Sequence, residues 1–147
     1  MKALVIRISK AKVSVGDNIV SSIGKGLVLF IGLAREDANS DLVSIAEKIV
    51  NLRIFEDESG KLNHSVKDKR FSVLCIPNFT LCADTKRGRR PSFEQAMEPG
   101  QANKLFEDFI MLLESKGVEV KKGSFGKHMD IELTSDGPVN IILNSKE

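Results

Sequence analysis

Thr80 and Asp84 sit four residues apart in the stretch Asn78–Phe93, NFTLCADTKRGRRPSF, and form the chain's nearest approach to a nucleophile–base pair. An exposed carboxylate is a weak base for a hydroxyl, so the pair predicts loop hydrogen bonding and leaves Thr80 a positioning role, not covalent catalysis. A Ser/His/Asp or Cys/His hydrolase would have to take its base from His64 or His128. Neither lies in a Gly-rich elbow, and both read as surface histidines. Cys75 and Cys82 lack the close spacing of metal ligands, which predicts no metal site and two reduced thiols. Gly24-x-Gly26 precedes a strand, the wrong context for a phosphate or dinucleotide loop.

The same stretch sets Lys86, Arg87, Arg89 and Arg90 within five positions around Gly88. Four cations so close repel one another unless a polyanion is near. With a net charge of only +2, any nucleic-acid affinity must come from such local clustering and not from a global field. Arg guanidinium pairs bidentately with phosphate, and Gly88 lets the backbone bend, so the loop can grip a nucleic-acid backbone. A merely solvated loop fits the same residues. Lys121, Lys122 and Lys127 extend the basic surface only if the fold brings them alongside.

The elements that must hold this loop follow from periodicity. At 147 residues, 41% hydrophobic and 29% charged, the chain predicts one soluble domain over 1–147. No leader-like segment or membrane-length apolar run is visible, so a cytoplasmic protein is expected. Ala3–Ile8 and Gly26–Leu33 read as buried strands, with a hairpin between them at Gly16-Asp17-Asn18. Leu42, Val43, Ile45, Ala46, Ile49 and Val50 recur at helical spacing, with Asn39 or Ser40 as the expected cap. Ser72–Ile76 is a strand stopped by Pro77. A second helix is expected over Gln101–Lys116, ended by Gly117, then strands at Val118–Val120, Met129–Leu133 and Val139–Leu143. Asp136-Gly137 is the expected turn between the last two. About seven strands and two helices predict an α/β sheet layered against a second, smaller sheet.

Phe79-Thr80-Leu81, Ala83-Asp84-Thr85-Lys86, Gly88 and Arg90-Pro91-Ser92-Phe93, followed by Gly137-Pro138-Val139, resemble the two signatures of the D-aminoacyl-tRNA deacylases. Arg7, Leu52-Arg53-Ile54-Phe55, Gly126 and Met129 match as well, so the resemblance runs almost end to end. It implies a three-layer α/β/β domain that works as a homodimer, with a cis Gly137–Pro138 pair inserted into the partner's active site. The implied reaction is hydrolysis of the ester joining a D-amino acid, with mischarged glycine as a further candidate, to the end of tRNA, without metal or cofactor. The implied catalytic residues are Asn78, Phe79 and Thr80. Gly137, Pro138, Val139, Arg7 and Met129 are implied for substrate binding and chiral exclusion, and Lys86, Arg87, Arg89 and Arg90 for tRNA. The implied partners are tRNA and a second copy, with neither DNA nor a membrane.

The sequence departs from the family pattern at both signatures. Pro77-Asn78 replaces Ser-Gln, and Ser135-Asp136 and Asn140 flank the Gly-Pro-Val core. Pro77 offers neither hydroxyl nor N–H, and Asn78 is one methylene shorter than Gln. The alternative expectation is therefore a non-catalytic or altered-specificity tRNA-binding paralogue on the same scaffold. An editing module of the threonyl-synthetase type is a third, weaker reading.

Overall fold

A computed structural model describes residues 1–147. In chain order the elements are β1 (Lys2–Val15), β2 (Asn18–Ile23), β3 (Gly26–Gly32), α1 (Asn39–Asn51), β4 (Phe55–Glu56), β5 (Leu62–His64), β6 (Ser72–Pro77), a 3-10 turn (Phe79–Cys82), α2 (Pro99–Ser115), β7 (Val120–Lys122) and β8 (Asp130–Asn144).

β1 organises the sheet. It pairs antiparallel with β3 over Lys2–Ile8 and with β2 over Ala11–Val15, while β8 runs along its other edge. β3 pairs parallel with β6, and β6 parallel with β7. Parallel neighbours need crossovers, and α1 and α2 supply them on one face. Val5, Leu27, Leu29, Val73 and Cys75 bury that face against Ile45, Ile49, Phe106, Phe109 and Leu113. The opposite face, with Val28, Leu74 and Ile76, packs on Ile8, Val13 and Ile23. The second core exists because the far halves of β1 and β8, with β2, fold back over the sheet. The Ser21 hydroxyl donates to the Lys122 carbonyl at 2.6 Å, tying β2 across to β7. The expected α/β/β layering is present, and its second β layer is the bent half of one continuous sheet.

Several local expectations are corrected. Ala3–Ile8 and Val13–Val15 are one strand, because Lys10 and Lys12 between them pair with Thr134 and Glu132 of β8. The hairpin turn has two residues, since Val15 already pairs with Asn18. Ala38, not Asn39 or Ser40, precedes α1, and the Asp41 carboxylate accepts its N–H at 2.9 Å. The β4–β5 hairpin is additional, bringing the strands to eight. Asp136-Gly137 does not reverse the chain. Ile8 opposes Ser135 and Ile6 opposes Asn140, so Asp136–Val139 bulge out of a single long strand opposite Arg7.

Candidate active site

β3 and β6 are parallel, and the segments leaving their C-terminal ends converge, the usual place for a ligand crevice in such a sheet. Pro77 lacks an N–H and ends β6; Asn78 then donates its N–H to the Ile31 carbonyl at 2.7 Å. The Asn78 side chain caps the 3-10 turn. Its Oδ1 accepts from Thr80 N–H at 3.3 Å and from the Thr80 hydroxyl at 2.5 Å. Thr80 is therefore bonded to Asn78 and not to Asp84, whose carboxylate accepts from Lys86 N–H at 2.9 Å. The expected absence of a hydroxyl–carboxylate couple follows from these two local bonds. Phe79 N–H, the first donor of the turn, has no acceptor within the chain.

Beside this turn lies a cleft of about 760 Å³. Asn78, Phe79 and Phe93 form one side of its lining, and Met97, Phe106 and Phe125 contribute to the rest. Arg35 and Glu98 are its charged residues. Glu98 caps α2, its Oε2 accepting from Gly100 N–H at 3.0 Å and Gln101 N–H at 3.2 Å. Phe79 and Phe93, both exposed, meet edge to face at 5.1 Å between centroids. Large aromatics in the open normally mark a surface waiting for a partner.

The basic residues stand above the Phe93 side. Asp84 and Ser92 exchange two backbone hydrogen bonds, 2.8 and 2.9 Å, closing Thr85–Pro91 into a loop. Gly88 turns its tip at φ +69. Lys86, Arg87, Arg89 and Arg90 are all exposed, and none pairs with a carboxylate. Lys121 and Lys122, by contrast, are paired with carboxylates, Glu119 at 3.8 Å and Glu107 at 2.7 Å.

Gly137 and Pro138, joined by a cis peptide, protrude from the β8 bulge. Arg7 anchors the bulge from beneath and is only 5% exposed. Its Nη1 donates to the Ile54 carbonyl at 2.8 Å and its Nε to the Asp136 carbonyl at 3.1 Å. The Asp136 and Glu56 carboxylates lie 3.4 and 3.9 Å away.

Comparison with known proteins decides the lineage of this arrangement. Residues 4–144 match the family model described as D-Tyr-tRNA(Tyr) deacylase. The chain belongs to that deacylase family. Relatives named D-aminoacyl-tRNA deacylase include one from Thermodesulfovibrio yellowstonii, 47% identical over 99% of this chain and 100% of its own length. Another, from Bacillus licheniformis, is 49% identical over 99% of both chains. Among solved structures, one described as the c-Myc DNA Unwinding Element Binding Protein superposes with a TM-score of 0.94 at 39% identity, covering 98% of each chain. A second, described as a "probable eukaryotic D-amino acid tRNA deacylase", has a TM-score of 0.82 at 17% identity over 97% of each chain, a likeness of fold alone.

Within the deacylase fold, the residues singled out by sequence fall into two groups. Asn78 and Phe79 line the cleft, with Thr80 bonded behind them and the four cations on the adjoining loop. Arg7, Gly137, Pro138 and Val139 form the second group at the β8 bulge. Met129 stands apart from both. Its sulfur accepts from Ser124 N–H at 3.3 Å and its side chain packs in the second core, outside the cleft lining. Sequence reasoning missed Arg35, Met97, Glu98, Phe106 and Phe125. Phe106 was visible only as one of several apolar positions on a helix, and Arg35 carried no signal at all.

Proposed function

We propose that the chain hydrolyses the ester bond of D-aminoacyl-tRNA, and of mischarged glycyl-tRNA, releasing the free amino acid and tRNA. The observation that carries this reading is the unspent Phe79 N–H beside an apolar cleft, in a chain related to deacylases along its whole length. An aminoacyl ester is already activated, so its hydrolysis needs a positioned water and a donor for the developing oxyanion more than a protein nucleophile. Phe79 N–H is that donor. Asn78 and Thr80 hold the turn that aims it, and the Asn78 amide nitrogen remains available to the substrate. Stacking against Phe79 and Phe93 suits the terminal adenosine. Lys86, Arg87, Arg89 and Arg90 take the phosphates of the acceptor end.

Chiral exclusion falls to the Gly137–Pro138 bulge, whose rigidity Arg7 supplies. Within one chain the bulge and Pro77, the strand end that leads into the Phe79 turn, are three strand spacings and four register positions apart, on the order of 20 Å along the sheet. That separation supports a homodimer in which Gly137–Pro138 of one copy enters the cleft of the other. Backbone groups there crowd out an L-side chain and leave room for hydrogen or a D-side chain. Pro77 costs this arrangement little, because the donor comes from the next residue but one.

Purified protein is to be assayed on matched D-aminoacyl-, L-aminoacyl- and glycyl-tRNA. Release from the D- and glycyl esters with the L-ester spared is the expected result. Equal release from D and L, or none from any of the three, would sink the proposal.

A further inference from the structure

We propose that Arg35 seats the 5′ phosphate of the substrate's terminal nucleotide at the mouth of the cleft, a positioning role that rests on the deacylase reading above. Arg35 is exposed, lines the cleft, and has no carboxylate within ion-pairing distance. Its backbone is fixed: the Arg35 N–H donates to the Gln95 carbonyl at 3.0 Å, next to the bridge between Ala34 and Ala96. An unpaired guanidinium on a fixed backbone differs from the four cations on the Thr85–Pro91 loop, which hang from a seven-residue tip. Such a tip can follow a phosphate backbone without setting its register. A single guanidinium on an anchored backbone can set it, because guanidinium pairs with phosphate bidentately.

The other obvious phosphate site in this cleft is closed. α2 begins at its wall, and a helix N-terminus ordinarily welcomes an anion. Here the Glu98 carboxylate already accepts the N–H groups of Gly100 and Gln101 and adds a negative charge. A phosphate entering the cleft is therefore turned away from α2 and toward Arg35. The nucleoside goes inward, against the phenylalanines, and its 5′ phosphate remains at the rim.

Binding of adenosine and of adenosine 5′-monophosphate, measured by calorimetry or NMR titration at low salt, isolates the phosphate contribution without requiring turnover. The intact protein is expected to prefer the monophosphate by about tenfold, the scale of one charge-assisted hydrogen-bonded pair. Arg35→Ala should bring that ratio close to one while leaving adenosine affinity unchanged, and Arg35→Lys should keep part of it. An Arg87→Ala/Arg89→Ala variant should retain the full ratio. A ratio near one in the intact protein, a ratio that survives Arg35→Ala, or an equal loss of adenosine binding would each overturn the assignment. Phosphate preference together with inert D-aminoacyl-tRNA would instead leave Arg35 in place and remove the proposed turnover.

Discussion

A methyl group on Gly137 would stand 2.8 Å from the Val139 nitrogen, 2.9 Å from Val139 Cγ2 and 3.2 Å from Arg7 Nη2, at a φ of +133° that L-residues rarely adopt. Gly137→Ala must therefore displace the bulge, at a cost on the order of 1–3 kcal/mol. The bulge is exposed, so the chain should still fold, with a melting temperature lowered by several degrees. Its D-over-L selectivity on aminoacyl-tRNA should fall at least tenfold, and selectivity equal to that of the parent would refute the exclusion role. Phe79 allows a sharper separation, because the proposed function gives its backbone and its ring different tasks. Phe79→Ala keeps the N–H and loses the stacking surface, whereas Phe79→Pro loses both at a first-turn position that proline tolerates. If the N–H serves the oxyanion, the proline variant should be slower in kcat than the alanine variant by about 10²-fold, the usual worth of one such donor. Single-turnover deacylation measures the difference.

At the scale of elements, the β4–β5 hairpin shows how a small unit holds the bulge's anchor. It follows directly on Ile54, whose carbonyl binds Arg7. Asp57 closes the hairpin, accepting the Ser59 hydroxyl at 2.7 Å, the Lys61 and Ser59 N–H groups at 3.0 and 2.9 Å, and the Asn63 amide at 3.2 Å. The Ser59 hydroxyl foremost, then these other donors, hold the Asp57 carboxyl down at about 2. A depressed carboxyl contributes stability above its ordinary value near 3.8, and that contribution is lost as pH falls through about 2. Amide signals of Ser59 and Lys61 should thus stay native at pH 5 and lose protection between pH 4 and 2, and Asp57→Asn should abolish the transition. Asp57-Glu58-Ser59-Gly60 has the composition of a turn, but the strands it joins carry no periodic signal, being two and three residues long. The long helices and buried strands could be read because their apolar periods persist over many residues. The β8 bulge could not, because Asp136-Gly137 carries the chemistry of a hairpin turn, and only pairing of both flanks with β1 keeps the chain running straight. The cleft was half legible. Its near wall is the Asn78–Phe93 motif, whereas its far wall comes from α2 and the segment after β7, joined to it only by the fold.

The whole molecule poses the question that neither smaller scale can answer, namely how two signatures on the order of 20 Å apart serve one reaction. The proposed homodimer would resolve it: in a second copy related by a twofold axis, each bulge would meet the other copy's cleft and two equivalent sites would form. This arrangement has a quantitative consequence. Phe79→Pro spoils a chain's cleft and spares its bulge, while Gly137→Ala does the reverse. Each homodimer is defective at both sites. After equal amounts are mixed, unfolded and refolded together, half of the dimers are hybrids, and each hybrid holds one site built from an intact cleft and an intact bulge. Discriminating deacylase activity should therefore return to about a quarter of the parental level per chain, as random pairing of two-site dimers requires. If each chain used its own bulge, or if the Gly-Pro pair had no part in the site, mixing would give only the average of the two variants. Assaying the mixture against both parents, with D- and L-esters in parallel, separates these cases, because a composite site restores rate and selectivity together.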